Sequence, residues 1–242
     1  MSKLTWDTTG TKFYETGVSK GVLYPQNTDG SYAKGVAWNG LTGVTDSPDG
    51  AEPNDLYADN IKYATLRSAE TLGLTIEAYT YPDEWAACDG SAAIVTGTGN
   101  SATTVAGVYI GQQSRQAFGF CYRTEVGNDV YSYDSDIGYK LHIVYNCTAS
   151  PSEKSYETVN DSPDAITFSW EVTTIPVPVT GYKNTASITI DTTKLDSTHK
   201  GYLEVLEGML YGTNGGSGET GTDPMLPTPN QVISIMTTGS AT

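Results

Sequence analysis

The chain has 242 residues, 28 acidic against 13 basic and a formal charge of -15, with 38% hydrophobic and 10% aromatic residues. That is enough apolar material to fill a core, which excludes wholesale disorder, and too little basic charge for a DNA-binding face: the arginines are Arg67, Arg115 and Arg123, and Lys/Arg clusters are absent. The abundance of Thr and Tyr favours pleated, half-buried surfaces, so a mainly β fold is expected.

In chain order, residues 42–60 carry Asp46, Asp49, Glu52 and Asp55 among Pro and Gly and read as a long acidic loop. Strict alternation follows over 71–80, where Leu72, Leu74, Ile76 and Ala78 share one face and Thr71, Thr75, Glu77 and Tyr79 the other. Pro82 to Cys88 predicts a short helix with Pro in its first turn, acids near its start and Gly90 to stop it. Residues 91–106 are rich in Gly, Ser and Thr and read as a mobile loop or a hairpin tip.

Further strands are expected where Phe118, Phe120 and Tyr122 alternate with Gly119, Cys121 and Arg123, and where Tyr139, Leu141, Ile143 and Tyr145 alternate with Lys140, His142 and Val144. Two more follow from Ile166, Phe168, Trp170 and Val172 against Thr167, Ser169 and Glu171, and from Ala186, Ile188 and Ile190 against Thr185, Ser187 and Thr189. One apolar and one polar face throughout predicts antiparallel sheets buried on one side. Residues 197–211, capped by Asp196 or Ser197 and stopped by Gly212, predict a helix with a broad apolar stripe. A Gly-rich linker at 212–223 then leads to Val232–Met236, read as a last strand.

Little points to chemistry. His142 and His199 stand apart from any nucleophile or ligand partner, and each reads as structural. Cys88, Cys121 and Cys147 are dispersed and read as core residues or free thiols. Asp129, Asp134 and Asp136 resemble a fragment of a calcium loop, but the required later Glu is missing, so a solvated acidic turn is expected. The phosphate-cradling pattern G-x-x-x-x-G-K-[ST] does not occur. The expectation is a protein that is not an enzyme and needs no cofactor or metal. The starting segment lacks a signal-peptide pattern and no apolar run approaches a bilayer span, so membrane insertion is not expected.

Co-linear blocks carry a family resemblance: Tyr14–Pro25, Gly35–Leu41, Gly50–Pro53, Leu56–Tyr63, Glu77–Glu84, Gly111–Gln113, Phe118–Thr124, Gly138–His142, Pro151–Lys154, Asn160–Val172 and Leu210–Thr213. Over residues 6–236 the sequence resembles the major tail proteins, or tail tube proteins, of long-tailed, non-contractile bacteriophages of Gram-positive hosts and their prophages. Residues 91–106 and 131–136 depart from that pattern.

The resemblance implies a single tail tube domain over 1–242, a β-sandwich or barrel-like fold with a flanking α-helix. It also implies that strands join a continuous inner β-barrel in a hexameric ring, and that stacked rings conduct DNA during ejection. Self-association, and contacts with tape measure, distal tail and tail terminator proteins, are its implied partners; the virion tail is its implied location, after synthesis in the host bacterial cytoplasm. Within that frame Thr75, Glu77, Thr167, Ser169 and Glu171 are the candidate lumen residues, an acidic wall past which DNA slides without sticking. Trp6, Asp46, Asp49, Glu52 and Asp55, on the 1–25 segment and the 42–60 stretch, are the candidates for ring stacking, with Trp38 assigned to the core. The alternative is a carbohydrate-binding or adhesin-like β-sandwich module of a phage tail, displaying some of the 17 tyrosines.

Overall fold

A computed structural model describes residues 3–50, 53–66, 70–97, 102–130, 137–156, 158–159, 161, 164–215 and 220–241. The fold is mainly β. Its strands are β1 (Phe13–Pro25), β2 (Val36–Trp38), β3 (Leu41–Asp49), β4 (Asn54–Ala58), β5 (Ile61–Leu66), β6 (Thr71–Ala78), β7 (Ala92–Thr96), β8 (Thr103–Ile110), β9 (Phe118–Asn128), β10 (Tyr139–Ala149), β11 (Phe168–Thr174) and β12 (Ser187–Asp191). The helices are α1 (Trp85–Cys88), α2 (Ser197–Tyr211) and α3 (Pro229–Thr238).

One antiparallel sheet runs β2-β1-β9-β10-β11-β6-β3, with β12 also paired to β10. Strand β10 joins its two halves. Residues Lys140–Val144 pair with β12, and the same stretch pairs with β9; after a register slip at Asn146, whose φ is 49°, Cys147–Ala149 pair with β11. The slip bends the sheet so that one core closes between the halves: Leu23, Phe118, Phe120 and Val144 meet Leu74, Ile76, Trp170 and Val172, with Trp38 and Trp85 between them. The indole of Trp38 lies 4.6 Å from that of Trp85 and donates to the Thr80 carbonyl at 2.9 Å. Trp38 is thus a core residue, as expected. Among the described residues the sheet does not close into a barrel within one chain.

A second core covers the other face, where Val22, Tyr24, Cys121, Leu141, Ile143 and Tyr145 pack under α2 and α3. This corrects the reading of β9 and β10 as half-exposed. Nearly all of β9 is buried, because Gly119 and Cys121 are small enough for chain to lie on them; a Cβ on Gly119 would come within 2.1 Å of Leu226.

Two further segments differ from expectation. The stretch 42–60 contains edge strand β3 and, with β5, the start of a β4–β5 hairpin rather than a loop; Asp46 and Asp49 are exposed on β3, and Asp59 and Asn60, at φ 53° and 63°, make the two-residue turn. Residues Val232–Met236 lie in α3, not in a strand. Thr228 and Gln231 form a capping box, Pro229 opens the helix and Gly239 closes it at φ 77°, so Val232 and Ile235 fall three apart on one buried face. The 91–106 stretch belongs to a β7–β8 hairpin, its tip at 98–101 lying outside the described residues. In the 212–223 linker, Thr213 and Thr222 bridge to one another, closing the ends of that stretch. Helix α2 matches its predicted span, with Asp196 as the cap accepting from the His199 amide at 2.9 Å.

Candidate functional site

Strands β3, β6 and β11 lie side by side, and their apolar residues point inward: Val44, Leu74, Ile76, Trp170 and Val172 join the inter-layer core. The opposite face follows from the pleat. Registers place Gly43, Glu77 and Ser169 in one row, Thr45, Thr75 and Glu171 in the next, and Ser47, Gly73 and Thr173 in a third, which Thr148 of β10 extends. Every side chain in this grid is a hydroxyl, a carboxylate or a hydrogen. The Glu77 carboxylate leans over Gly43, where a Cβ would sit 3.2 Å from its Oε2, and Gly73 lies so close to β3 that a Cβ would meet the Ser47 carbonyl oxygen at 2.9 Å.

Four of the five candidate lumen residues are therefore brought together on paired strands. Thr167 is not: β11 begins at Phe168, leaving Thr167 exposed ahead of the ladder. Gly43, Thr45 and Ser47 were missed because their strand reads as a turn-rich loop, and Thr148 because it lies beyond the bulge of β10.

The ring-stacking candidates do not form one patch. Trp6 is 75% exposed in the segment before β1. Asp46 sits on β3 opposite Leu74, on the face turned away from the hydroxyl grid, and accepts from the Tyr122 hydroxyl at 3.3 Å; Asp49 ends the same strand. Asp55 is held inside the hairpin by Lys62 at 2.8 Å and Thr65 at 2.7 Å, and these partners lower its pKa. Glu52 lies outside the described residues. Within 1–25, Gly21 to Pro25 are buried and Phe13 to Gly17 and Lys20 are exposed.

Two polar clusters brace the sheet. Arg123 of β9 reaches Glu207 of α2 at 2.5 Å and Tyr211 at 3.1 Å, with its guanidinium 4.0 Å from the Tyr139 ring centre, which pins α2 to the sheet. His142 stacks on Tyr122 at 4.6 Å, and its ring nitrogens face Thr124 at 2.9 Å and Thr189 at 3.3 Å. Burial pushes His142 below the ordinary imidazole range although Glu15 and Asp46 pull it up. Burial also opposes the charge of Glu15, but hydrogen bonds from Lys140 and Thr124 outweigh it and lower that pKa. His199 caps α2 through Asp196, and the three cysteines are buried free thiols whose pKa values burial raises. Asp129 accepts from the Gly10 amide at 3.0 Å, while Asp134 and Asp136 lie outside the described residues.

No group of His, Cys, Asp and Glu among the described residues is arranged to hold a metal ion, and no described helix is long and apolar enough to cross a membrane. No protein-family profile matches the chain, and no curated protein sequence matches it.

Proposed function

We propose that this chain is the tail tube subunit of a long-tailed, non-contractile bacteriophage or prophage, a structural protein of the virion that assembles into stacked hexameric rings. The observation that carries the reading is the grid on β3, β6 and β11: three strands whose outward positions are Thr, Ser, Gly, Glu and Asp, without lysine, arginine or an aromatic ring. Such a face suits a conduit. Hydroxyls hold a water layer, glutamates repel phosphates, and no cation is present to release counterions and grip the DNA.

The resemblance of the segments across residues 6–236 supplies the hexamer, the direction of DNA passage and the tape measure, distal tail and terminator proteins as partners. The open sheet supplies a route to assembly. Among the described residues strand β3 ends the sheet with a free edge, and an edge repeated head to tail around a closed ring is satisfied by the next copy, which continues the grid as the wall of an inner barrel.

Negative-stain electron microscopy of the purified protein tests this reading. Rings or tubes with a central channel are expected; a protein that stays monomeric at high concentration and with nucleating tail-tip complexes added contradicts it.

A further inference from the structure

The chain has four tryptophans, and three of them, Trp38, Trp85 and Trp170, are packed together in the inter-layer core. Trp6 is 75% exposed, and Leu4, two residues before it, is 72% exposed. The chain exposes other large apolar side chains as well, but this indole and leucine stand two residues apart on one short segment and offer an amphipathic anchor.

The same molecule carries a cleft of about 620 Å³, of mixed apolar and polar lining, where β1 breaks its ladder. Register slips flank Ser19, Lys20 adopts φ 50°, and β2 covers β1 only from Gly21 to Leu23, so Gly17, Val18 and Lys20 fall outside both ladders of the strand. At Gly21 the missing side chain lets Leu41 of β3 lie against β1, since a Cβ there would come within 2.3 Å of its Cδ1. Val18, Leu41, Tyr211 and Pro224 give it apolar wall, Ser19 and Asn39 add polar groups, and Lys20 lines it as an exposed cation. Asp7 follows Trp6 directly. In a chain of charge -15, a lysine at the cleft and an aspartate beside the indole are a local match that the rest of the surface opposes.

Trp6 of the same chain is badly placed to enter. Gly10 is fixed to Asn128 and Asp129, level with the Phe13 end of β1, at 3.2 Å and 3.0 Å. The cleft lies at Ser19–Val22, about 20–30 Å along the strand at 3.3 Å per residue. Four residues from Gly10 to Trp6 extend at most about 14 Å. An exposed apolar group and a cleft at opposite ends of one strand define a head-to-tail contact, which propagates from copy to copy.

We propose that the cleft at the β1 break receives Trp6 of a second copy of this chain, with Asp7 facing Lys20. This rests on the tube-subunit reading and deepens it by naming one contact between successive copies along the tube. The test pairs Trp6→Cys with Ala37→Cys, an exposed residue lining the cleft; the three native cysteines are buried and do not compete. Under mild oxidation of the assembled protein, non-reducing gels are expected to show a ladder of disulfide-linked chains, and Trp6→Cys paired with Tyr182→Cys, an exposed position that does not line the cleft, is expected to show none. A disulfide formed only within single chains overturns the second copy as occupant. Assembly without either disulfide overturns the cleft contact and leaves the tube reading standing, whereas failure of the unmodified protein to assemble removes both.

Discussion

Glu77 on β6 stands opposite Ser169 on β11, and two residues along the pair is inverted, with Thr75 opposite Glu171. The two carboxylates therefore lie diagonally across adjacent strands, separated by hydroxyls rather than by a cation. Charge here is spread over the face, as a wall that repels a polyanion requires. Replacing both by lysine leaves the inward core residues untouched, so the Glu77→Lys, Glu171→Lys double variant is expected to assemble normally. Its tubes are expected to retain DNA in a salt-dependent manner and to eject it more slowly, measured by DNA release from reconstituted particles. Unchanged retention and ejection contradict a lumen role for this face.

Helix α3 offers a test of the fold that separates helix from strand. Ile233 and Ile235 share a face in a strand but not in a helix, and here Ile235 is fully buried while Ile233 is 36% exposed. Ile235→Ala is expected to cost about 3 kcal/mol and Ile233→Ala less than about 1 kcal/mol in urea unfolding. Thr228→Ala, which removes the capping box, is expected to cost about 1 kcal/mol.

The Arg123–Glu207 pair joins β9 to α2 with both side chains largely buried. Arg123→Met leaves Glu207 without its cation and is expected to cost about 3 kcal/mol. Adding Glu207→Gln to that variant is expected to recover part of the loss, so that a double-mutant cycle of unfolding free energies is strongly non-additive.

His142 gives a pH dependence with a defined sign. Burial lowers its folded pKa below the ordinary value of 6.5, so the folded state favours the neutral ring and the unfolded state takes up the proton first. Stability is lost as pH falls below about 6.5, and the loss stops once the folded ring also protonates. Glu15, whose folded pKa is lowered, adds stability above its unfolded pKa that disappears further into acid. Between about pH 7.5 and 5.5 the wild-type urea midpoint is expected to fall more than that of His142→Gln, which keeps polar contacts without the titration.

Much of this fold is legible where one period dominates. Thr75 and Glu77, or Ser169 and Glu171, alternate with apolar neighbours, and both pairs fall on one face; the stripe of α2 repeats every three to four residues between an Asp cap and a Gly stop. The rest is ambiguous for physical reasons. Val232, Ile233, Ile235 and Met236 satisfy strand and helix spacing alike, and the deciding signal is the Thr228–Gln231 cap. Gly119, Cys121 and Arg123 look like a solvent face until α2 and the Leu226 segment cover them, a long-range event that local alternation does not encode. The β3 row is hidden by Pro48, Asp49 and Gly50, which read as a turn although Pro48 and Asp49 are the last residues of β3 and pair with β6. Register across three strands, which makes the candidate face continuous, is a tertiary property.

The central claim is that the face bearing Thr45, Thr75, Glu77, Ser169 and Glu171 lines a channel. A cryo-electron microscopy map of the assembled protein tests it most directly. The account predicts stacked hexameric rings with β3, β6 and β11 of each copy forming the inner wall and these side chains pointing into the lumen; a map that buries this face between subunits, or turns it to the outside of the particle, contradicts it.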